Sequence, residues 1–352
     1  MKDLFDTAGI RTTYGSAIFS EHVPEETAAA VQLLEAAGYS NVGKTNLHEF
    51  AYGTTSQNVH YGVVPNPAAP GRISGGSSGG SAAALAGGLA EAALGTDSGG
   101  SIRIPAACCG VTGFKPTFGL VPVDGVFPLS PSFDHAGPMA RDVSGCAAMM
   151  AVLAPGTAAS EIVTGDLRVA CTWFDAADPL VRARLLDAAA AFPAVTPVEA
   201  PLAEGIYPVF NREVAEVHRE LYAEHAELYG ENIVPKIEWC LATTEGEAAA
   251  AAERREAYRA RMLELLEPYD LLLTPTLAFV APDAGVDEIE VRDSIVQFTF
   301  PFNALGWPVL ALPCGAAEDG LPASLQVVGK PGADALVLGA GLALEAALRS
   351  MA

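Results

Sequence analysis

Two loops built almost entirely of glycine and serine, Gly75-Gly76-Ser77-Ser78-Gly79-Gly80-Ser81 and Ser98-Gly99-Gly100-Ser101, constrain this chain more than any other feature. Glycine permits positive φ and lets the main chain approach another group closely. Consecutive N–H groups without side-chain shielding form concavities that bind anions or a developing oxyanion. A serine inside such a loop is placed to act as a nucleophile beside its own oxyanion hole. Between the loops, Ser81 to Leu89 is small and apolar on every side, which predicts a helix packed inside the protein. Ala92 to Thr96 then predicts a short strand that delivers Asp97 to Ser101 at its end.

The rest of the chain has the material to bury such a site. Its 352 residues are 50% hydrophobic, enough for one large α/β domain or a domain with an inserted lobe. Forty-two acidic side chains against 20 Lys plus Arg give a formal charge of −22, which repels phosphate backbones and anionic membrane surfaces and argues against nucleic-acid or membrane partners. The same acidity fits either a solubility feature or an adaptation to high salt. Cys108, Cys109, Cys146, Cys171, Cys240 and Cys314 show no paired metal spacing and are expected free, reduced and buried, as in a cytoplasmic protein. No basic-then-apolar leader and no apolar run of roughly twenty residues is present.

Elsewhere, Pro24-Glu25-Glu26 before Thr27 to Ala37, with Gly38 beyond, predicts a helix of about fourteen residues. Ser40 to Lys44 is expected extended, and Tyr52 to Gly76 is a polar loop. Further helices are expected over Asp142 to Leu153, Pro179 to Ala191, Asn211 to Tyr229, Glu245 to Leu266 and Ala333 to Leu348. Two of these, from Asn211 and from Glu245, carry interleaved charges that predict solvated outer faces, His218 and His225 included. Leu167 to Cys171, Tyr269 to Thr274, Pro308 to Pro313 and Ala323 to Val328 read as strands, the last three buried. Helices and strands in mixed order predict an α/β fold, a sheet with helices on both faces, and a more variable lobe after the small-residue linker Pro155 to Ser160.

Several motifs compete for the chemistry. Gly38-Tyr39-Ser40-Asn41-Val42-Gly43-Lys44-Thr45 matches the phosphate-loop pattern, but that loop must leave a strand and open a helix, whereas Gly38 here ends a helix. Gly75-x-Ser77-x-Gly79 fits a nucleophile elbow, yet that mechanism needs a late base histidine and none follows His225. His22, His48, His60 and His135 lack metal-ligand spacing, so neither a metal nor a cofactor is expected. What remains is a serine nucleophile with no evident histidine base. A lysine can serve if burial or a neighbouring positive charge lowers its pKa.

Gly75 to Ser81, then Gly95-Thr96-Asp97-Ser98-Gly99-Gly100-Ser101-Ile102-Arg103-Ile104-Pro105-Ala106, then Gly110-Val111-Thr112-Gly113-Phe114-Lys115-Pro116-Thr117 resemble the signature of the amidase signature family. Lys2-Asp3 with Gly9 to Ser16, Gly43 to Phe50, Phe133 to Met139, Leu273 to Thr276, and Phe302-Asn303 through Gly315 extend the resemblance over nearly the whole chain. It implies an α/β/α amidase fold with a mixed central sheet. The signature core would occupy 1–154, a variable lobe 155–268, and the C-terminal part of the same domain 269–352.

The resemblance also implies an activity, hydrolysis of a carboxylic amide to a carboxylate and ammonia or an amine through an acyl-serine. Ser101 would be the nucleophile, Ser77 a bridging serine after a cis peptide at Gly76, and Lys2 the base. The backbone N–H groups of Ser98, Gly99, Gly100 and Ser101 would form the oxyanion hole, with Ser78, Asp97 and Arg103 in support; Lys44 receives no role. Phe298, Phe300, Phe302 and Trp307 are candidate walls of an apolar substrate pocket, with core packing as their other reading. A homodimer is consistent with the resemblance.

Two departures from the family pattern bear on activity. Family members carry a further segment ahead of the lysine, whereas only Met1 precedes Lys2, so a frayed base and weakened or lost activity are expected unless upstream sequence exists. An inactive amidase-like scaffold is the corresponding alternative. The branch that hydrolyses glutamine for tRNA-dependent transamidation has an Asp where this chain has Val296, so a stand-alone amidase of small or aryl amides is favoured over the glutamine-hydrolysing component of an amidotransferase.

Overall fold

The computed structural model describes residues 1–351. A small hairpin, β1 (Gln57–Asn58) and β2 (Gly62–Val63), stands apart from the main sheet. That sheet comprises β3 (Ala92–Asp97), β4 (Thr112–Lys115), β5 (His135–Ala140), β6 (Val169–Cys171), β7 (Val195–Pro197), β8 (Leu271–Pro275), β9 (Val309–Ala316) and β10 (Pro322–Gly329), in the order β3-β5-β4-β9-β10-β8-β6-β7. Pairing is antiparallel from β3 through β8 and parallel at β8-β6-β7, so the sheet is mixed.

Successive side chains on a strand point to opposite faces, and the two halves of the core follow that alternation. Leu272, Val309 and Val328 enter one apolar cluster; Leu271, Leu273, Leu310 and Val327 enter another on the far side. The first is covered by α6 (Tyr207–His225), α7 (Val234–Ala242) and α8 (Glu245–Leu266), which supply Phe210, Ile237 and Met262. The second is covered by α1 (Ala29–Ala36), α4 (Val143–Leu153), α5 (Pro179–Ala189) and α11 (Asp334–Met351), through Val31, Met149, Leu185 and Leu338. The remaining helices, α2 (Gly79–Ala86), α3 (Arg103–Cys109), α9 (Glu288–Val296) and α10 (Phe300–Leu305), frame the glycine loops.

Local signals set several boundaries. Asp142 caps α4 by accepting the Gly145 N–H, and Thr244 with Glu247 forms a reciprocal capping box at the start of α8. The first helix is shorter than its sequence suggests. Ala28 is extended and donates to Asp6 O, and Ala29 donates to Asp124 O, so tertiary partners take the first backbone donors and α1 begins only at Ala29. Strands β6 and β7, from the middle stretch of the chain, extend the same central sheet.

The charged helices are not solvated throughout. His218 is fully buried, its Nδ1 2.9 Å from Tyr229 Oη and its ring against Phe50, which corrects the expected surface position; His225 is half-exposed. Arg255 is also buried and reaches Ala304 O at 2.8 Å and Ser132 Oγ at 2.7 Å. Interleaved charges mark an amphipathic helix, but which cation turns inward depends on carbonyls far away in sequence. All six cysteines are free, and Cys171 alone among them is only half-buried. Among the described residues no helix is long and apolar enough to cross a membrane.

Candidate active site

Lys2 is neither frayed nor exposed. Its N–H donates to Leu94 O on β3 at 3.1 Å, the segment pairs with Thr45, and the side chain is fully buried. Its Nζ lies 2.7 Å from Ser77 Oγ and 2.6 Å from Thr96 Oγ1. Burial pulls the amine down to about 7, against opposing pulls from Asp97 and Asp134. Thr96, the second partner, lies within a stretch whose glycines and serines carry the evident signal. Strand alternation would have put its side chain opposite that of Asp97, toward the lysine.

Ser77 follows a cis peptide at Gly76, and its carbonyl accepts from His48 N and Ser56 Oγ, each at 3.3 Å. A Cβ at Gly76 would stand 2.8 Å from the backbone of Thr54 to Ser56, so only glycine lets the loop seat there. Ser101 precedes α3, is 8% exposed, and accepts the Ser78 N–H at its carbonyl, 3.2 Å away. Ser78 Oγ in turn donates to Thr96 O at 3.2 Å, so the two glycine loops and β3 are tied together.

The second loop is wound around the Asp97 carboxylate. Asp97 accepts from Gly100 N at 2.9 Å, Ile102 N at 3.2 Å, Arg103 Nε and Nη2 at 2.9 Å each, and Asn303 Nδ2 at 2.8 Å. Arg103 also donates to Gln326 Oε1 at 2.8 Å and Asn303 Oδ1 at 2.7 Å, and the whole group is dry. Burial alone would raise the Asp97 pKa, but the Arg103 guanidinium holds it well below the usual carboxylate range. Asn303 and Gln326, from α10 and β10, carried no signal of this role in the sequence.

This arrangement changes the set of candidate oxyanion donors. The Gly100 N–H is already given to Asp97, whereas those of Ser98, Gly99 and Ser101 have no acceptor among the described residues. Gly100 is instead a steric requirement: at φ +133°, a Cβ would come within 2.3 Å of Thr299 Oγ1. Ser98 Oγ donates to the buried Asp134 carboxylate at 2.5 Å, which also accepts from Leu129 N.

Two cavities flank these loops. One, of about 130 Å³, is lined by Leu4, Thr96, Ser98, Phe127 and Asp134. The other is a cleft of about 300 Å³ between α6 and α9, walled by Tyr52, Tyr207, Arg292, Val296 and Phe300. Phe300 joins this cleft to the second glycine loop, because its ring lies 3.8 Å from where a Gly99 Cβ would be. The other candidate pocket aromatics pack in the core: Phe298 stacks on Trp173 at 5.3 Å between centroids, and Phe302 and Trp307 are fully buried. Lys44 ties the first segment down through Phe5 O, Thr12 Oγ1 at 2.9 Å and Asp3 at 3.5 Å, and Gly38 to Thr45 opens no helix. Among the described residues no three His, Cys, Asp or Glu side chains come close enough to hold a metal ion.

A mixed sheet between helical layers, with a buried amine, two serines and bare loop amides at one end, describes a hydrolase of α/β class. The family model for amidases matches residues 1–162 and 212–338, and the chain belongs to the amidase family, hydrolases of carboxylic amide C–N bonds. It is 35% identical to the AtzE component of 1-carboxybiuret hydrolase from Pseudomonas sp. (strain ADP), covering 98% of this chain and 82% of that one. It is 33% identical to the A component of glutamyl-tRNA(Gln) amidotransferase from Haloarcula marismortui, covering 98% and 93%. A crystal structure of an amidase superposes with a TM-score of 0.91 at 38% identity, over 98% of this chain and 83% of that one. Substrate-bound 6-aminohexanoate cyclic dimer hydrolase gives 0.85 at 28%, over 99% and 84%.

Proposed function

We propose that Ser101 attacks the amide carbonyl while Ser77 and Lys2 carry its proton away. The observation that supports this reading best is the fully buried Lys2 amine, 2.7 Å from Ser77 Oγ and shifted to about 7. A lysine in water is protonated at neutral pH and has no lone pair to offer; one near 7 is neutral about half the time. Ser101 Oγ forms a bond to the carbonyl carbon as its proton passes to Ser77 Oγ, whose own proton passes to Lys2 Nζ. The carbonyl oxygen becomes an oxyanion facing the free N–H groups of Ser98, Gly99 and Ser101.

Collapse breaks the C–N bond, and the departing nitrogen takes the proton back through Ser77. Water then adds to the acyl-serine as its proton passes to Lys2 through the same relay, and as the C–O bond to Ser101 breaks, Ser101 Oγ takes that proton back through Ser77 and the acid is released as its carboxylate. Thr96 orients the amine by accepting one of its hydrogens. Asp97 and Arg103 hold the loop that presents Ser101, so their contribution is positional.

Substrates are small-molecule amides, in keeping with a cleft of about 300 Å³. The glutamine-specific reading is disfavoured because Val296 puts an apolar side chain on the cleft wall where a carboxylate would meet an α-ammonium. Six free cysteines support a reducing, cytoplasmic setting. Ammonia release screened over glutamine, asparagine, indoleacetamide, benzamide and aliphatic amides tests the reading; no turnover of any amide, together with no labelling by a fluorophosphonate, would sink it.

A further inference from the structure

The Ser98 amide is aimed from behind. The Asp97–Ser98 peptide is planar and trans, so its carbonyl and its N–H point to opposite sides and fixing one fixes the other. Asn303 Nδ2 donates to that carbonyl at 2.9 Å, and His135 Nδ1 lies 3.1 Å from it. Ser98 itself is held through its Oγ, which donates to Asp134. Asp134 and His135, consecutive in the chain, thus grip Ser98 and the peptide that precedes it. The Ser101 amide is fixed differently, since Gly100 O accepts the Ile104 N–H at 2.7 Å within the same loop and α3.

His135 is a costly residue for its surroundings. It is buried, and its Nε2 has no hydrogen-bond partner among the described residues. Nδ1 also lies 2.6 Å from Phe133 O; both of its neighbours are carbonyls, so Nδ1 carries the hydrogen and shares it between them. Burial, with Lys115 and Arg103 nearby and Asp97 pulling the other way, holds the ring neutral, its pKa well below the usual histidine range. A buried ring nitrogen without a partner costs folding free energy, and an apolar side chain would fill the same space without that cost. What an apolar side chain lacks is the Nδ1–H.

We propose that His135 is a positioning residue for the oxyanion hole: with Asn303, its Nδ1–H orients the Asp97–Ser98 peptide so that the Ser98 N–H meets the oxygen of the reacting carbonyl. This rests on the hydrolase reading given above. No proton leaves His135 during the cycle, and it acts on the substrate only through the peptide. A misplacement of about 1 Å at a reacting group can cost on the order of 10²-fold in rate, so one hydrogen bond behind the donor has a measurable effect.

Two substitutions separate the hydrogen bond from the bulk of the ring. Asparagine puts an amide N–H where Nδ1 stands, whereas glutamine reaches toward Nε2. The probe is a fluorophosphonate, whose phosphoryl oxygen takes the place of the oxyanion as Ser101 is labelled. His135→Gln should lower the maximal labelling rate about thirtyfold or more, with the half-saturating probe concentration within about threefold, and His135→Asn should restore most of the rate. The pH midpoint near 7 should stay where it is in both, because Lys2 is untouched. Rates within about threefold of each other in the two variants, or a midpoint that moves, overturn the assignment. If a variant fails to fold, NMR of the wild-type protein labelled with ¹⁵N in histidine and serine decides. His135 should be the Nδ1–H tautomer from pH 5 to 9, and the Ser98 amide proton should move downfield on phosphonylation; the other tautomer, or an unmoved amide, overturns it. The hydrolase reading fails separately, through absent labelling and absent ammonia release in the wild-type enzyme, and the inference falls with it.

Discussion

Lys2 Nζ and Ser77 Oγ are 2.7 Å apart although 75 positions separate them in the chain, and no water reaches the amine. The backbone of Lys2 is anchored to Leu94 and the Thr45 segment, so the amine is positioned by hydrogen bonds of its own rather than by chance packing. The same burial that fixes the amine also deprives its charged form of hydration. Hydrogen bonds thus set the place of the amine, and burial lowers its pKa toward neutrality, as the role proposed for it requires.

Replacing Lys2 with methionine keeps most of the apolar stem and removes the amine. kcat for amide hydrolysis should fall by roughly 10²–10⁴, the usual range for loss of a general base. A change of less than about threefold would show that Lys2 is not the base.

The shift of Lys2 to about 7 has a definite sign in a pH profile. Only the neutral amine accepts a proton, so kcat/KM should rise with pH, with a midpoint near 7, and flatten above it. Steady-state rates between pH 5 and 9 check this; a midpoint near 10 would mean that the amine is hydrated in solution.

Thr96→Val removes the acceptor 2.6 Å from Lys2 Nζ while keeping shape. Because that acceptor favours the charged amine more than the neutral one, its loss should move the pH midpoint downward, and kcat should drop about tenfold as the amine loses its orientation. An unmoved midpoint with intact folding would assign Thr96 a packing role only.

The Asp97–Arg103 pair is dry on every side, so Arg103→Met strands a buried carboxylate together with the amides of Gly100 and Ile102 that it organises. Unfolding free energy should fall by about 3–5 kcal/mol. Urea denaturation with an unchanged m-value measures it, and a loss under 1 kcal/mol would contradict a bracing role.

Much of this was legible in the residue order. The runs that became β8, β9 and β10 are apolar and buried on both faces, and α8 starts at its capping box and ends within the predicted span. Ser77, Ser101 and the loop amides stood out as candidates because serines beside unshielded N–H groups suit acyl transfer. Contacts between sequence-distant polar groups were not readable. Asn303 and Gln326 complete the Asp97 network from α10 and β10, and Thr96 meets Lys2 across the molecule, so each looks like an ordinary polar residue in its own segment. The same limit misplaced His218, whose partner Tyr229 turns it inward, and counted Gly100 as an oxyanion donor although Asp97 already holds its N–H. Of four aromatics offered as pocket walls, Phe300 alone lines the cleft, since apolar side chains suit core and pocket equally.

The most direct measurement of the central claim is the site and pH dependence of covalent labelling by a fluorophosphonate, read by mass spectrometry of the digested protein. The adduct should fall on Ser101 alone, at a rate that rises through pH 7 and collapses in Lys2→Met. An adduct elsewhere, undiminished labelling of Ser101→Ala, or labelling of Ser101 that ignores the lysine would contradict the account.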